Sequence, residues 1–569
     1  MPGTYVGGAS RFRPIRDGPS KTWKVCAHVL QPAPGMSRRW NGWGEDGARA
    51  EVPESARDLL QGRLGPGARN SDARLEALAG AVPPSRLAPH PLVSTSAAER
   101  VTVARGQGFP DLIALRTGRF AALPDGVARP SSREEVRALL AFAQQAGAQV
   151  IPYGGGTSVA GQVTTQPAAA PTLVLSLERM TRLLALEPRD RLATFGAGIP
   201  GPLLEAHLRA HGWTLGHFPQ SFELSTLGGW VATRSRGQQS LGYGRIEEMF
   251  AGGHLEAPAG TVEVPPHPAS STGPDVREWL LGSEGRLGIL TDLTVRIRAV
   301  PEREVFRAFA FRDLERAREC VAALAAEGLA FSMLRLMTPG ETEVSLAVAG
   351  KGRSAAWMEA LLSLRGLKLP QGSLLIAGLT GRRAAVRLGW RGLRRIARKG
   401  GAIGIPGLGS AWARGRFRAP YLRDALWDLG YGVDTVETAT NWSGHAALQA
   451  AVEAALGSVL EAEGERVLVF SHLSHVYPTG ANLYTTFVFR LCPDPDQTLA
   501  RWRRLKDAAS RAIVASRGTI SHQHGVGVDH RPYLEAEKGA LAVDALRRLA
   551  ARFDPERVMN PGKLFEDRA

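Results

Sequence analysis

Cysteine is nearly missing from this chain. Cys26, Cys320 and Cys492 are the only three in 569 residues, and they lie far apart. An odd, scattered set argues against a disulfide framework and against a cysteine-built metal site, and it suits a reducing cytoplasm. No stretch reaches the ~18 uninterrupted apolar residues of a membrane span. No zinc-finger spacing, RNA-recognition signature or basic heptad region appears, so nucleic acid is not an expected partner. There are no internal repeats. No Gly-x-Gly-x-x-Gly stands between a strand and a helix, which argues against a Rossmann site. Acidic residues are in deficit, 54 against 70 Lys and Arg, leaving a net charge of +16. Such a balance suits phosphorylated small molecules or a membrane surface, or is simply a solvated basic surface.

What is present is ordinary globular composition, 44% hydrophobic and 22% charged, in a chain long enough for two or three domains. Residues 1–35 stand apart. They are rich in Gly, Pro and basic residues, and the apolar run at 25–30 is too short for a signal-peptide core. They read as a disordered or spurious extension, with Met36 the candidate start. Residues 36–118 carry short helices at 56–64 and 71–81. From 119 to 302 the pattern is α/β. A hydroxyl cap at Ser131 and Ser132, acids at Glu134 and Glu135, and the stripe Val136, Leu139, Leu140, Ala143 predict a helix that Gly147 ends. Strands follow at 150–151, 173–177 and 193–198, and 219–244 is polar with little regular structure. A second α+β domain spans 303–517, with strands at 306–311, 331–337, 344–348, 374–378, 467–473 and 484–491. Its helices fall at 314–327, 355–365, 382–399, 445–463 and 499–516. The tail, 518–569, carries histidines and a docking segment.

The most informative stretch follows the apolar pair Val150-Ile151: Pro152-Tyr153-Gly154-Gly155-Gly156-Thr157-Ser158. Three glycines remove Cβ atoms and allow positive φ, so bare backbone N–H groups can converge on an anion, with two hydroxyls beside them. The alternative is a flexible surface turn. Three more segments join it within about 140 residues. They are Gln220-Ser221-Phe222-Glu223-Leu224-Ser225-Thr226, then Thr233-Arg234-Ser235-Arg236, then Glu284-Gly285-Arg286-Leu287-Gly288-Ile289-Leu290. In this order and spacing they resemble the FAD-binding domain of the vanillyl-alcohol oxidase/p-cresol methylhydroxylase superfamily. Within it the chain is similar to the alkylglycerone-phosphate synthase family, from Arg38 to the C-terminus. The similarity includes Trp40-Asn41-Gly42-Trp43-Gly44, Leu227-Gly228-Gly229-Trp230, Tyr243-Gly244-Arg245 and Ser271-Thr272-Gly273-Pro274-Asp275.

The resemblance implies an α+β fold: a two-subdomain FAD-binding domain, an α+β substrate cap, and a tail returning to the FAD domain. FAD would be non-covalent, since the loop offers neither Cys nor His as a tether. Pro152 and Tyr153 would lead into a pyrophosphate cradle of Gly154, Gly155, Gly156, Thr157 and Ser158. Glu223, Ser225 and Thr226, in the loop with Gln220, Ser221, Phe222 and Leu224, would line the isoalloxazine and ribityl side. Thr233, Arg234 and Ser235, with Arg236, would reach pyrophosphate or flavin, with a surface salt bridge as the alternative for Arg234. Glu284, Gly285, Arg286, Leu287, Gly288, Ile289 and Leu290 would meet the adenosine end, unless they are only a helix-to-strand connection needing glycines.

In the cap, Tyr421-Leu422-Arg423-Asp424 matches the family's substrate-phosphate arginine, and Arg423 would clamp phosphate or carboxylate unless Asp424 pairs with it locally. Tyr484 matches the family's catalytic tyrosine. Ser521-His522-Gln523-His524-Gly525-Val526-Gly527 matches a run with three successive histidines, the middle one here being Gln523, which cannot carry a proton near neutral pH. His522 and His524 share one face and would form a polar wall supporting proton movement. A metal site would need a third ligand that the sequence does not make evident. His472 and His475 read as structural, though His475 could flank the site.

The implied activity is exchange of the acyl chain of an acyl-glycerone-phosphate for a fatty alcohol, with FAD working without net redox. One alternative is an FAD-linked oxidase or dehydrogenase of a 2-hydroxy acid such as glycolate or D-lactate. Another is a decayed flavin-binding scaffold. The expected partner is a small-molecule or lipid substrate bearing phosphate or carboxylate. The Arg-rich helix at 382–399 reads as a solvated face or a dock for anionic headgroups, which would place the protein in the cytoplasm, at the periphery of the inner membrane face. A homodimer is left open.

Overall fold

The computed structural model describes residues 38–567, apart from 69–70, 351–362, 364–365 and 369–370. The expectations for 1–35, for Met36 and for nearly all of a helix at 355–365 fall outside the described residues.

The N-terminal half is built on two sheets sharing one core. The first runs in the order β1-β2-β4-β3, with β1 Val93–Ser94, β2 Gly126–Ala128, β3 Gln149–Tyr153 and β4 Thr172–Ser176. Strands β2, β4 and β3 are parallel. The crossover from β2 to β3 is the helix Arg133–Gln145, which begins where Ser132 Oγ accepts the Glu135 N–H at 3.2 Å. Its inward stripe is Val136, Leu139, Leu140 and Ala143, all buried. The second sheet is antiparallel, in the order β5-β6-β10-β8-β9: β5 Leu183–Glu187, β6 Leu192–Gly196, β8 Phe250–Ala257, β9 Gly260–Val264 and β10 Ile289–Arg296. The short β7 Trp213–Thr214 and β11 Arg298–Ala299 pair separately. Leu139, Leu175, Phe195, Trp230, Phe250 and Leu293 fill the core between the layers.

The cap carries one large antiparallel sheet in the order β15-β12-β14-β13-β17-β19-β16. Its strands are β12 Arg303–Phe311, β13 Phe331–Met337, β14 Ser373–Gly381, β15 Ile403–Ile405, β16 Tyr431–Asn441, β17 Leu468–Leu473 and β19 Gly480–Arg490, with β18 Val476–Tyr477 against β19. Helices Leu314–Ala326 and Arg383–Lys399 bury Val321, Leu324, Val386 and Leu393 against one end of it. Helices Trp442–Ser458 and Pro495–Ala515 cover the other end, where Phe109, Trp502, Phe487 and Phe489 meet. Cys320 and Cys492 are both buried.

Two sequence expectations change, and one strand was not expected at all. Residues 344–348 are not a strand but part of the helix Pro339–Ala349. Thr338 Oγ1 caps it by accepting the Glu341 N–H, Pro339 occupies the first turn and Gly350 ends it, so capping outweighs the β-branched residues. The 219–244 stretch holds the short helices Leu227–Thr233 and Ser240–Tyr243. Strand β16, unread from sequence, carries a residue central to the site. No helix among the described residues is long and apolar enough to cross a membrane.

The tail crosses back to the first sheet. Val150 N–H donates to Val558 O at 2.7 Å and Asn560 N–H donates to Val150 O at 2.8 Å, adding a parallel bridge at the β3 edge.

Candidate active site

The glycine loop leaves β3 and presses against the second predicted segment. A Cβ on Gly155 would lie 1.8 Å from Leu224 O, one on Gly154 2.4 Å from Thr226 Oγ1, and one on Gly156 2.0 Å from the Tyr153 hydroxyl. Only glycine allows this approach. The carbonyl of Gly155 accepts from Arg38 at 2.7 Å. Among the described residues, no acceptor pairs with the backbone N–H of any residue from Gly154 to Val159. Consecutive unspent N–H donors beside a strand end are the donor set that a dinucleotide pyrophosphate requires, so these residues fit the FAD that the fold implies.

The second and third segments shape this cradle more than they reach out of it. Ser225 Oγ accepts the Trp230 indole N–H at 2.7 Å, and Thr226 caps the Leu227–Thr233 helix. Phe222 is core, stacked on Phe417, and Gln220 donates to Arg416 O at 2.8 Å. Ser221 O accepts two turn N–H groups, from Leu224 and Ser225. Glu223 accepts the Tyr421 hydroxyl at 2.9 Å, and burial raises its carboxyl. Thr233 Oγ1 donates to Gly229 O at 2.8 Å, and the Ser235 hydroxyl meets His217 at 3.4 Å. In place of a guanidinium aimed at pyrophosphate, Arg234 is held by Glu278 at 2.5 Å and by Leu281 O at 3.2 Å, the salt-bridge alternative. Arg236 pairs with Glu247.

The fourth segment clasps the tail. Glu284 accepts the N–H groups of Val526 at 2.5 Å and Gly527 at 2.7 Å. Its backbone is left-handed, with φ 50, and burial raises its carboxyl to about 7 against the pull of those N–H donors. Asn560 donates to Glu284 O and Gln162 O, and Gln162 donates to His524 O at 2.7 Å. Arg286 donates to Met559 O at 2.9 Å, pairs with Asp567 and lies over Phe565. The side chains of Glu284 and Arg286 are thus occupied by the tail, not open to an adenosine. Leu287, Ile289 and Leu290 are core, while Gly285 and Gly288 hold positive φ.

His522 and His524 converge on Glu437, which the sequence reading missed. Fully buried on β16, Glu437 Oε1 accepts the Asn482 amide at 2.6 Å and faces His522 Nδ1 at 2.9 Å. Because a carboxylate only accepts, Nδ1 carries the proton, and Nε2 meets the Tyr477 hydroxyl at 2.7 Å. Oε2 lies 3.4 Å from His524 Nε2 and has no hydrogen-bond partner among the described residues. Burial alone would raise the Glu437 carboxyl, but the His522 hydrogen bond and the charges of His522, His524 and His475 bring it down to about 2. Burial lowers His524. Glu437, His475 and His522 offer three ligand-type atoms within 4.8 Å of one another, so the histidine run does have further ligand types beside it. Since Oε1 already serves two donors, the arrangement reads first as a hydrogen-bond network.

Tyr484 pairs directly across from Glu437 in the β16–β19 register. Its ring stacks on His472 at 4.7 Å and meets His524 edge-on at 5.9 Å. Burial, reinforced by Glu437, raises its phenol. His472 in turn contacts Arg335 at 3.1 Å and Glu341 at 3.3 Å. His475 meets Ser240 at 3.3 Å, and its ring lies tilted against His522 at 5.0 Å. Gln523, half-buried, makes no side-chain hydrogen bond among the described residues.

Arg423 sits on the helix Ala419–Asp428 and donates to Gln107 O and to Gly108 O. Burial lowers its guanidinium, opposed by Asp434, Asp424 and Asp111, and Tyr484 lies within electrostatic reach. The local Arg423–Asp424 pair does not form. Asp424 instead accepts the Trp43 N–H at 2.7 Å and faces Arg39 at 3.6 Å. Gly42 and Gly44 permit this wrap, since a Cβ on either would strike Asp424 or Tyr421.

Glu437 had one sequence signal, an acid set, with Asp434, in the β-branched run Val433-Asp434-Thr435-Val436-Glu437-Thr438. Arg105 and Lys563, near Asp111 behind the glycine loop, were also missed. Burial lowers both, Lys563 to about 8.

Residues 124–264 match the family described as FAD binding domain, and residues 300–564 the family described as FAD linked oxidases, C-terminal domain. Over 473 residues the chain is 31% identical to an alkyldihydroxyacetonephosphate synthase of Dictyostelium discoideum, covering 82% of this chain and 77% of that one. Over 447 residues it is 26% identical to a mitochondrial D-lactate dehydrogenase (cytochrome) of Arabidopsis thaliana, covering 78% and 74%. A solved alkyldihydroxyacetonephosphate synthase superposes with a TM-score of 0.78 at 26% identity, covering 92% of this chain and 98% of that one. Substrate-bound p-cresol methylhydroxylase shares the fold, with a TM-score of 0.64 at 13% identity over 90% and 97%. Dihydroxyacetone and glycerone are one compound, so the sequence resemblance and these likenesses concern the same enzymes. The chain belongs to the alkyldihydroxyacetonephosphate synthase family of FAD-dependent enzymes.

Proposed function

We propose that this chain exchanges the acyl chain of an acyl-dihydroxyacetone-phosphate for a fatty alcohol, forming an ether lipid precursor. The observation that carries the reading is the gathering of Tyr484, His522 and His524 on buried Glu437, within reach of Arg423, in a member of this family. Arg423 offers a planar cation for the substrate phosphate. His524, held neutral by burial, takes a proton from the substrate carbon, and Tyr484, kept protonated, donates to the ester oxygen that departs with the fatty acid. The alcohol oxygen then bonds to the vacated carbon, its proton restores Tyr484, and His524 returns its proton to the substrate carbon. Glu437 fixes the tautomer of His522. FAD would be held without a covalent bond by the N–H groups of 154–159, and when bound it supplies an electron-accepting ring system beside the substrate. Acid precipitation tests this last point, since a non-covalent flavin leaves with the supernatant.

The test of the reaction is radiolabelled fatty alcohol, which should appear in an ether product. One observation favours a second reading, an FAD-linked 2-hydroxy acid oxidase: Gln523 replaces the middle histidine of the family run, and a D-lactate dehydrogenase is among the relatives. Anaerobic bleaching of the flavin by D-lactate or glycolate, with turnover on adding an acceptor, would replace the synthase reading with this one. A flavin-containing protein active in neither assay would be a scaffold.

A further inference from the structure

The Arg383–Lys399 helix lies outside the site, and its two faces differ sharply. Val386, Gly389, Leu393 and Ala397 are buried at helical spacing against the cap sheet. Gly389 permits close packing, since a Cβ there would lie 2.7 Å from Leu379. The other face holds Arg382, Arg383, Arg387, Arg391, Arg394, Arg395, Arg398 and Lys399, all exposed, and no acid. These eight residues equal half the net charge of +16. A folded surface that needed only solubility would intersperse both signs. Arg395 pairs with Glu327 at 2.9 Å and Arg394 lies over Trp390. Arg387, Arg391, Arg398 and Lys399 have no acidic partner among the described residues. Among them stands Leu388, a large apolar side chain left 60% exposed.

We propose that this helix face docks the enzyme onto an anionic lipid bilayer, with Leu388 entering the headgroup boundary. Charge complementarity chooses the occupant. A dense, single-sign, guanidinium-rich surface matches a continuous anionic plane, and an apolar residue among the arginines suits an interface with hydrocarbon beneath it. Each basic residue near such a surface raises partitioning about fivefold, so the four unpaired ones together suffice for stable association. Guanidinium groups stay charged across the physiological range, so binding should depend on salt and hardly on pH.

The long-chain substrate proposed above is only the rationale. Vesicle binding is scored without substrate, so docking can fail while ether synthesis from detergent-dispersed substrate succeeds, and the reverse. The experiment is flotation of the full flavin-loaded chain with phosphatidylcholine vesicles, with and without one-third phosphatidylglycerol. The wild type should float only with the anionic vesicles and be released by raised salt. The triple variant Arg387→Gln, Arg391→Gln, Arg398→Gln should lose about a hundredfold in partitioning while keeping its flavin and circular dichroism. Leu388→Ser, which leaves the charge intact, should weaken binding severalfold. Equal binding to neutral vesicles, undiminished binding by the triple variant, or tighter binding to single-stranded RNA than to anionic vesicles would each overturn the proposal.

Discussion

Glu437 and Glu284 are two buried carboxyls with opposite titration behaviour, and each makes a separate prediction. Glu437 lies at about 2, below the ordinary carboxylate value. Its pairing therefore stabilises the fold above the unfolded value of 4.5, and that support drains away as pH falls towards 2. Glu437→Gln should leave FAD in place but lose the tautomer control on His522, lowering kcat by about 10²–10⁴-fold with little change in KM. Steady-state kinetics on the flavin-loaded variant decide this, and an unchanged kcat would remove Glu437 from the mechanism. Glu284 lies at about 7, above its unfolded value. Its contribution is full below pH 4.5 and is lost as pH rises through 7. Glu284→Ala should strip the Val526 and Gly527 N–H groups of their acceptor, costing about 1–3 kcal/mol for each group left unsatisfied. The variant should also lose that loss of stability towards alkaline pH, read as a flattened Tm-versus-pH curve between neutral and alkaline pH. A wild-type slope retained in the variant would place the titrating group elsewhere.

At the scale of elements, legibility followed local physics. The helix Arg133–Gln145 was readable because its cap, acidic first turn and apolar stripe agree. The strand expected at 344–348 failed because Thr338 and Pro339, just outside the run, start a helix that β-branched content alone does not announce. Glu437 was hidden because its chemistry depends on partners 45 and 85 residues away, Asn482 and His522, which no spacing rule connects. Arg286 looked free in sequence for the same reason, since Met559 and Asp567 claim it only in the fold, and the salt bridge left open for Arg234 finds its partner, Glu278, 44 residues away. The glycine loop stood out in sequence, and the fold gives a packing reason for its three glycines. Gly154 and Gly155 are required by contact with Thr226 and Leu224 as much as by a ligand. Gly155→Ala would put a Cβ 1.8 Å from the Leu224 carbonyl, a backbone atom that cannot step aside. That variant should purify with less flavin per protein and a lowered Tm, and a variant with full flavin content would mean that the 220–226 loop can shift freely.

Across the whole molecule, the tail from Ser521 to Asp567 ties the two-sheet half and the cap to the glycine loop. Its start places His522 and His524 on the cap's Glu437. Just beyond, His524 O is held by Gln162 at the end of the glycine loop, and Val526 and Gly527 by Glu284. Its end runs along β3, the strand that leads into that loop. There Met559 and Phe565 are buried, Arg286 holds Met559 O, and Asn560 bridges Gln162 and Glu284. Two buried apolar side chains at about 1.5–3 kcal/mol each, with several buried hydrogen bonds at about 1 kcal/mol each, make this contact a large share of a domain's net stability. Removing residues 558–569 should therefore act at a distance. It leaves the cap sheet, Tyr484 and Arg423 untouched, yet frees the β3 edge and removes the Asn560 hydrogen bonds to Glu284 O and Gln162 O that brace the clasp on Val526 and Gly527. Flavin retention should fall and proteolysis should cut between 518 and 557, while the secondary-structure content measured by circular dichroism changes little. A weaker variant, Asn560→Ala, should shift both readouts in the same direction without shortening the chain. If the truncated chain kept its flavin and resisted protease, the cradle would be self-supporting and the tail would serve only to deliver the two histidines.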